Sequence, residues 1–150
     1  MTREIEITEF RDAHLGKVAD IIVNVTSKEP WNAEWPSEHL VLDYINDLTK
    51  YPNFKGFVSI VDQKVVGVLL GHWKRWGNSK EYFIDIICVD SGYQGKGIGT
   101  KLLEALSHYL REQKIKYISG LTNLDYDSGM FFKANGFTES DYLTYIIKRI

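Results

Sequence analysis

The sequence predicts an α+β fold in which one sheet of mixed strand direction is flanked by about four helices. The first 50 residues carry helical apolar spacing, and residues 57 to 89 carry β-rich runs separated by turn residues. A glycine-rich turn then leads into a helix and another strand-like run. A strand, a helix and a strand in this order predict a crossover between parallel strands, so we expect a mixed sheet.

Length and composition favour one ordinary globular domain over residues 1–150. The chain has 44% hydrophobic and 25% charged residues, which is typical of a soluble protein. A net charge of -2 argues against nucleic acid as a partner. No apolar run approaches 20 residues, and residues 1–6 lack the apolar core of a secretory signal. We therefore expect a cytoplasmic protein that does not bind a membrane, without a metal site.

The N-terminal residues predict a strand followed by a helix. Ile5 and Ile7 alternate with charged neighbours, as in a half-buried strand. Asp12 can cap a helix. The apolar residues of this helix are spaced to share one face: Leu15, Val18, Ile22 and Val25.

Pro30 and Pro36 end the first helix and bound a loop. Ser37 can cap a second helix. Its predicted buried side consists of Leu40, Tyr44 and Leu48.

Three strands are predicted between residues 57 and 89. They cover 57–61, 65–73 and 82–89, with turns at 62–64 and 77–79. The third run is rich in β-branched residues, which predicts a central strand covered on both faces.

The remaining elements follow the glycine-rich turn. One apolar stripe predicts the third helix: Ile98, Leu102, Leu106 and Tyr109. Residues 117–121 predict a returning strand, 125–135 a fourth helix that stops at Gly136, and 137–150 a last strand or hairpin.

The glycine-rich turn is the strongest functional signal. It reads Gln94-Gly95-Lys96-Gly97-Ile98-Gly99 and opens a helix, whose first N–H groups lack partners and attract anions. Glycines leave no Cβ in the way of phosphate oxygens. Asp90 and Gly97 break the P-loop pattern, and Thr100 breaks the dinucleotide fingerprint.

The same six residues match Gln/Arg-x-x-Gly-x-Gly/Ala, which resembles the acetyl-CoA signature of the GNAT superfamily of N-acetyltransferases. Residues 131–137, Phe-Phe-Lys-Ala-Asn-Gly-Phe, resemble the family's Phe-Tyr-x-x-x-Gly-Phe element. The resemblance implies a GNAT-like, mostly antiparallel sheet, and a transferase that moves an acetyl group from acetyl-CoA to a primary amine, small and cationic or peptidyl.

The resemblance also implies which residues hold the cofactor. The strand before the turn would splay from its neighbour and bind the pantetheine arm through backbone groups. Asp125 and Phe132 stand where the family has contacts from the fourth helix, usually an Asn and a Tyr. The implied cofactor-binding residues are Ile87, Cys88, Val89, Gln94, Gly95, Lys96, Gly97, Ile98, Gly99, Thr100, Asp125 and Phe132.

Asp85 is the candidate catalytic base, because a carboxylate interrupts an otherwise apolar strand. It also matches a position where polyamine-type relatives carry an acid. A carboxylate paired with Lys or Arg at a sheet edge is the structural alternative. His72 is the second candidate base and is also predicted to line the acceptor site, and a purely structural histidine is its alternative.

The usual general acid is missing, because Phe132 has no hydroxyl group. Water or another tyrosine would then protonate the thiolate, and the candidate tyrosines are Tyr126, Tyr142 and Tyr145.

The loop between the first two helices would form a wall of the acceptor site. It holds Trp31, Glu34 and Trp35, and aromatic faces beside carboxylates suit a cationic amine. The alternative is that a tryptophan fastens the loop to the core. For the whole chain, a non-catalytic acetyl-CoA sensor and a nucleotide-binding protein remain alternatives, and a homodimer through a paired edge strand stays open.

Overall fold

The computed structural model describes residues 4–123 and 125–150. Met1 to Arg3, which belong to the stretch 1–6 considered above, lie outside the described residues. The strands are β1 (Glu6–Glu9), β2 (Phe54–Val61), β3 (Lys64–Trp76), β4 (Ser79–Val89) and β5 (Tyr117–Ser119). The helices are α1 (Leu15–Thr26), α2 (Glu38–Thr49), α3 (Ile98–Glu112) and α4 (Asp127–Ala134). Short 3-10 turns cover Asp12–His14 and Ser91–Tyr93.

These helices are shorter than a membrane span. In the described part of the chain, no helix is both long and apolar enough to cross a bilayer.

The five strands form one sheet in the order β1-β2-β3-β4-β5. The first four strands pair antiparallel, and β5 pairs parallel with β4 after the crossover through α3. The predicted mixed, mostly antiparallel sheet is therefore confirmed. The predicted turn between β2 and β3 is a tight one, because Asp62 and Gln63 both have positive φ, 49° and 66°.

The sheet separates two hydrophobic cores, as a central strand covered on both faces requires. Helices α1 and α2 pack on one face, where Val18, Ile22 and Ile45 are fully buried. Helix α3 packs on the other face through Leu102 and Leu106. The candidate site lies along β4, which contacts both hydrophobic cores.

The buried face of α2 differs from the predicted stripe by one residue. Val41, Ile45 and Leu48 are buried and Tyr44 is partly buried, whereas Leu40 is 45% exposed. Helix α2 begins at Glu38, so Leu40 lies in its first turn. There the Leu40 side chain lies beside the buried face that Val41, Ile45 and Leu48 form. The prediction that Leu40 faces the core was wrong.

The C-terminal part of the chain also departs from the prediction. Strand β5 ends at Ser119 rather than at residue 121, and residues 137–150 form no strand or hairpin. Phe137 packs against Phe132 at 5.1 Å between ring centroids, but every residue from 138 to 150 is exposed. We call residues 138–150 the C-terminal segment. Its pattern has high β propensity, yet in this structure it has no strand to pair with.

Candidate active site

Strand β4 has a free edge in the middle of the protein. Among the described residues, it pairs with β5 only at Glu81, Tyr82 and Phe83, so residues 84–89 have β3 on one side and no described strand on the other. The backbone N–H and C=O groups that point away from β3 are available to a ligand in this region. The splayed strand that the family resemblance implied is thus present.

The glycine-rich turn follows directly after this free edge. Gly95 and Gly97 have φ angles of 75° and 81°, values that a residue with a Cβ rarely adopts. In the part of the chain that the structure describes, no atom outside their immediate neighbours comes within 4 Å of where a Cβ would be. Gly97 is the N-cap of α3, so the N–H groups of the first helical turn have no partners within the helix. This shape fits a bound phosphate.

Two side chains brace the turn from inside. The Nε2 of Gln94 donates to the Val89 carbonyl at 2.9 Å, and an Asp90 carboxylate oxygen accepts from the Gly92 N–H at 3.2 Å. Gln94 therefore fixes the end of β4 through its side chain. The Lys96 ammonium lies 5.7 Å from the Tyr93 ring, exposed beside the turn, where it can meet an anion.

Gly99 is also required by packing between helices. A Cβ at this position would lie 2.8 Å from the Cε1 of Phe131. The space that the missing side chain leaves is thus filled by α4, which rests on the first turn of α3. Only the N–H of Gly99 remains for a ligand, together with those of Ile98 and Thr100.

The other predicted cofactor residues on β4 can act only through their backbone. Cys88 is buried against α1 and α2, and burial raises the pKa of its thiol to about 12. Ile87 and Val89 face the core under α3, as does Ile98. Their side chains are occupied by packing, which agrees with a site in which side-chain identity matters little.

Phe132 and Asp125 lie at the two ends of the fourth helical region. The Phe132 ring packs at a steep angle against Phe131 and Phe137, with ring centroids 5.3 and 5.1 Å away. Asp125 is exposed, and its backbone N–H donates to the Asn123 side chain. Phe132 is thus a packing residue here. The alternative acid Tyr126 caps α4, while Tyr142 and Tyr145 are exposed in the C-terminal segment.

The two candidate bases are brought together. The Nδ1 of His72 lies 3.0 Å from an Asp85 carboxylate oxygen, and the side chains are only 17% and 15% exposed. A bulge in the β3–β4 pairing between Leu70 and Gly71 lies beside this pair. Burial raises the pKa of Asp85, and the hydrogen bond and charge of His72 partly oppose that effect. Asp85 is thus paired with a histidine rather than with Lys or Arg.

Two tyrosines that the sequence reasoning did not assign to the site surround this pair. The Tyr51 ring stacks on His72, with centroids 4.3 Å apart and planes 15° from parallel. The pKa of Tyr44 is raised to about 12, first by burial and then by the nearby Asp85. Tyr44 had been placed on the buried face of its helix, and Tyr51 precedes a proline after that helix. A polar aromatic on an otherwise apolar face was the available signal for Tyr44.

The loop between α1 and α2 contributes unequally to this cluster. The Trp35 indole N–H donates to the Thr26 hydroxyl at 2.9 Å, and its ring lies 5.7 Å from that of Tyr44. Trp35 therefore fastens the loop and also borders the site. Trp31 and Glu34 are exposed, and within residues 4–123 and 125–150 their side chains make no hydrogen bond, ion pair or ring contact.

Comparisons with known proteins agree with this geometry. Residues 21–137 match a family model described as the acetyltransferase (GNAT) family. No curated protein sequence matched the chain. Among solved structures, a possible acetyltransferase from Clostridium difficile 630 has a TM-score of 0.81 at 22% identity, with 97% of this chain and 98% of that chain covered.

Two aminoglycoside acetyltransferases have the same fold. AAC(6')-Iy, solved with CoA, has a TM-score of 0.79 at 15% identity, covering 100% of this chain and 98% of that chain. An enzyme from an uncultured soil metagenomic sample, solved with sisomicin, has a TM-score of 0.75 at 19% identity, covering 97% and 96%. At these identities the likeness shows the shared fold alone.

Proposed function

Since this chain belongs to the GNAT acetyltransferase family and uses acetyl-CoA as its cosubstrate, we propose that it transfers the acetyl group to a primary amine held beside Asp85 and His72. The observation that carries the proposal is the arrangement along β4. The partly buried Asp85–His72 pair stands where the free edge begins, and the edge runs into the open turn at Gly95 and Gly97. An acyl carrier along this edge would end beside a proton acceptor.

The proposed cosubstrate contacts are backbone contacts. The N–H groups of Ile98, Gly99 and Thr100 would hold the diphosphate, assisted by Lys96, and the free edge at 87–89 would hold the pantetheine arm. Acetyl-CoA supplies an acetyl thioester, from which amine attack forms a C–N bond as the C–S bond breaks. An N–H of the same edge would stabilise the negative charge that develops on the carbonyl oxygen.

The Asp85–His72 pair would remove the proton that the amine carries. An alkyl ammonium has a pKa of about 10.4, so it must lose a proton before it can attack. A proton on Nδ1 of His72, donated to Asp85, leaves the lone pair of Nε2 free to accept the amine proton. Asp85 then stabilises the resulting imidazolium. Phe132 cannot donate a proton, and a thiol pKa of about 8.5 makes direct release of the thiolate to water feasible.

The acceptor would be a cationic amine with apolar or sugar-like surface around it. Trp35, Tyr44 and Tyr51 present aromatic faces near a partly buried carboxylate, which suits cation–π and ion-pair recognition. The fold neighbours include aminoglycoside acetyltransferases, so aminoglycosides belong in the first set of acceptors to be tested.

The test is to measure thiol release from acetyl-CoA with polyamines, aminoglycosides and peptides that carry a free amine. We expect turnover with at least one cationic amine and an increase in rate with pH. Tight acetyl-CoA binding by calorimetry with no acceptor turned over would instead favour a non-catalytic sensor. If ATP or NAD raised the melting temperature more than acetyl-CoA does, the cosubstrate assignment would fail.

A further inference from the structure

The hairpin between β3 and β4 extends beyond the rest of the sheet. Strand β2 pairs with β3 as far as His72, and β5 begins to pair with β4 at Glu81. In the described part of the chain, residues 74–80 therefore have no strand beside the hairpin, and we call them the basic arm. The Ser79 hydroxyl donates to the Trp76 carbonyl at 2.8 Å and closes the turn at the tip. The basic arm is thus a two-stranded projection from the sheet.

The basic arm is cationic, although the whole chain has a net charge of -2. It carries Lys74, Arg75 and Lys80 and no acidic residue. Among the described residues, none of these cations forms an ion pair with a carboxylate. Arg75 and Lys80 lie over the Trp73 ring, 5.0 and 5.1 Å from its centroid. The Glu81 carboxylate stands across the hairpin from Lys74 but accepts a hydrogen bond from a serine of β5 at 3.0 Å.

Lys74 lies on the same face of β3 as His72. Side chains two residues apart in a strand share a face, so Lys74 and then Trp76 follow His72 on the acceptor side of the sheet. At about 3.4 Å per residue, these positions are about 7 and 14 Å from His72 along the strand. Trp76 is 83% exposed. An extended peptide covers about 7 to 14 Å with two to four residues.

The opposite wall of the acceptor site has the opposite charge. The loop 27–38 contains three acidic residues and one lysine. An acceptor that lies between this loop and the basic arm would meet negative charge at one end and positive charge at the other. Such an arrangement orients a molecule that carries an ammonium group at one end and carboxylates further along.

We propose that the basic arm selects acceptors in which an acidic peptide segment follows the reacting amine. The inference rests on the proposed function, because the amine must be held beside the two candidate bases. Lys74 would pair with a carboxylate of the second or third residue, and the Trp76 ring would cover the next one. Arg75 and Lys80 would add positive charge from the other face of the arm. Polyamines and aminoglycosides carry further cations at this distance and would be poorer acceptors.

The first experiment compares three peptides as acceptors in steady-state kinetics. The peptides share one sequence except at the second and third positions, which hold Asp, Asn or Lys. At low salt, kcat/KM should be about 5- to 10-fold higher for the Asp peptide than for the Asn peptide, through KM, and lowest for the Lys peptide. Added salt should reduce the difference. Equal kcat/KM for the three peptides would overturn the proposal and leave the proposed function intact.

The second experiment reverses one charge of the basic arm. Lys74→Glu should lower kcat/KM for the Asp peptide about 5-fold or more and leave the Asn peptide nearly unchanged. The matched control is Lys17→Glu, which makes the same change of charge at an exposed position of α1. Circular dichroism establishes that both variants are folded. The same loss in both variants would show that net charge rather than the arm determines the preference, and the proposal would be wrong.

Calorimetry with CoA present gives a readout that does not require turnover. The wild type should bind the Asp peptide about 5-fold more tightly than the Asn peptide, and Lys74→Glu should abolish this difference. Charge-dependent binding without acetylation of any amine would support the arm and reject the proposed function alone. Vesicles that contain phosphatidylserine test the other anionic partner. Vesicle binding that depends on Lys74, together with no effect of peptide charge, would overturn the proposal.

Discussion

The two parts of the candidate site along β4 differ in how they are built. The glycine-rich turn after β4 presents backbone N–H groups, whereas Asp85 within β4 acts together with the His72 side chain of β3. The turn is built from residues 94 to 100, which are contiguous in the sequence. The Asp85–His72 pair joins residues 13 positions apart. The cofactor half of the site is therefore a local structure, and the proton-accepting half depends on the tertiary register of β3 and β4.

This difference has a physical cause. A helix start preceded by left-handed glycines presents its N–H groups in the same way wherever it occurs, because the geometry is fixed by backbone dihedrals. A partly buried carboxylate acquires its properties from what surrounds it, here His72, Tyr44 and the hydrophobic layer under α2. Changes at the turn after β4 and changes at Asp85 should thus affect different measurements.

The largest effect is expected for Asp85→Asn. Removal of the carboxylate should lower kcat/KM by about 10²- to 10³-fold, because His72 then accepts the amine proton without the negative charge that stabilises the imidazolium. Acetyl-CoA affinity measured by calorimetry should be unchanged, since the turn does not involve this side chain. In the wild type the rate should rise with pH as Asp85 ionises. Because burial raises the pKa of Asp85, this rise should occur at a higher pH than the ordinary pKa of about 3.9 would give. The variant should lose that dependence.

The control for this change is Asp47→Asn, an exposed acid on α2 with no role in the proposed chemistry. It should retain full activity at every pH. Equal activity of Asp85→Asn and the wild type would remove Asp85 from the mechanism.

The next largest effect is expected at the contact between α3 and α4. Gly99→Ala places a Cβ 2.8 Å from Phe131, so it should lower the free energy of unfolding by about 1 to 3 kcal/mol in urea titrations. Gly16→Ala is the matched control on α1, with no atom within 4 Å of the new Cβ. That change should raise stability by about 0.4 to 1 kcal/mol. Effects of the same sign would contradict the packing role of Gly99.

A smaller effect is expected for Gly97→Ala. The left-handed conformation costs a residue with a Cβ about 1 to 2 kcal/mol. Without ligand, the turn of the variant should therefore adopt another conformation, and acetyl-CoA binding would have to bring back the left-handed one. Acetyl-CoA affinity should fall about 10-fold by calorimetry, a change of about 1.4 kcal/mol. Gly92→Ala is the control, because the φ of Gly92 is not positive. An identical loss in both variants would indicate that the turn's conformation is not what binding requires.

The smallest effect is the pH dependence of folding. A carboxyl group whose pKa is raised in the folded state stabilises the fold below its unfolded pKa of about 3.9, and that contribution is lost as pH rises through the folded value. Asp85→Asn should therefore melt slightly higher than the wild type at pH 8, and the gap should close toward pH 4. A gap that widens on acidification would reverse the assigned direction of the shift.

Much of the fold could be predicted because its elements carry local patterns. The apolar stripe of α3, the hairpin at Asp62 and Gln63 and the central position of β4 all follow from spacing and turn chemistry. The C-terminal segment was predicted as a strand for the same reason. Strand propensity cannot identify a partner, however, and the described residues of one chain do not supply one there.

The site was predictable only in part for the same physical reason. The glycine turn could be predicted from its contiguous sequence, and Asp85 and His72 were each predicted as candidate bases. Their contact was not foreseen, because it depends on the register across the hairpin. Tyr51 stacks on His72 from a loop 21 positions earlier in the sequence. No periodicity connects two such positions, since only the tertiary fold brings them together.

The contact between Phe131 and the first turn of α3 couples CoA binding to the stability of α4. The amides that would meet a phosphate belong to the same turn on which α4 rests, so an anion that orders those amides also steadies the helix. Hydrogen exchange across Asp127–Ala134 should slow when CoA is added, although the ligand's charged end would touch another helix. By the same linkage, local unfolding of α4 would weaken CoA binding. Release of the CoA product would therefore be coupled to fluctuations of α4.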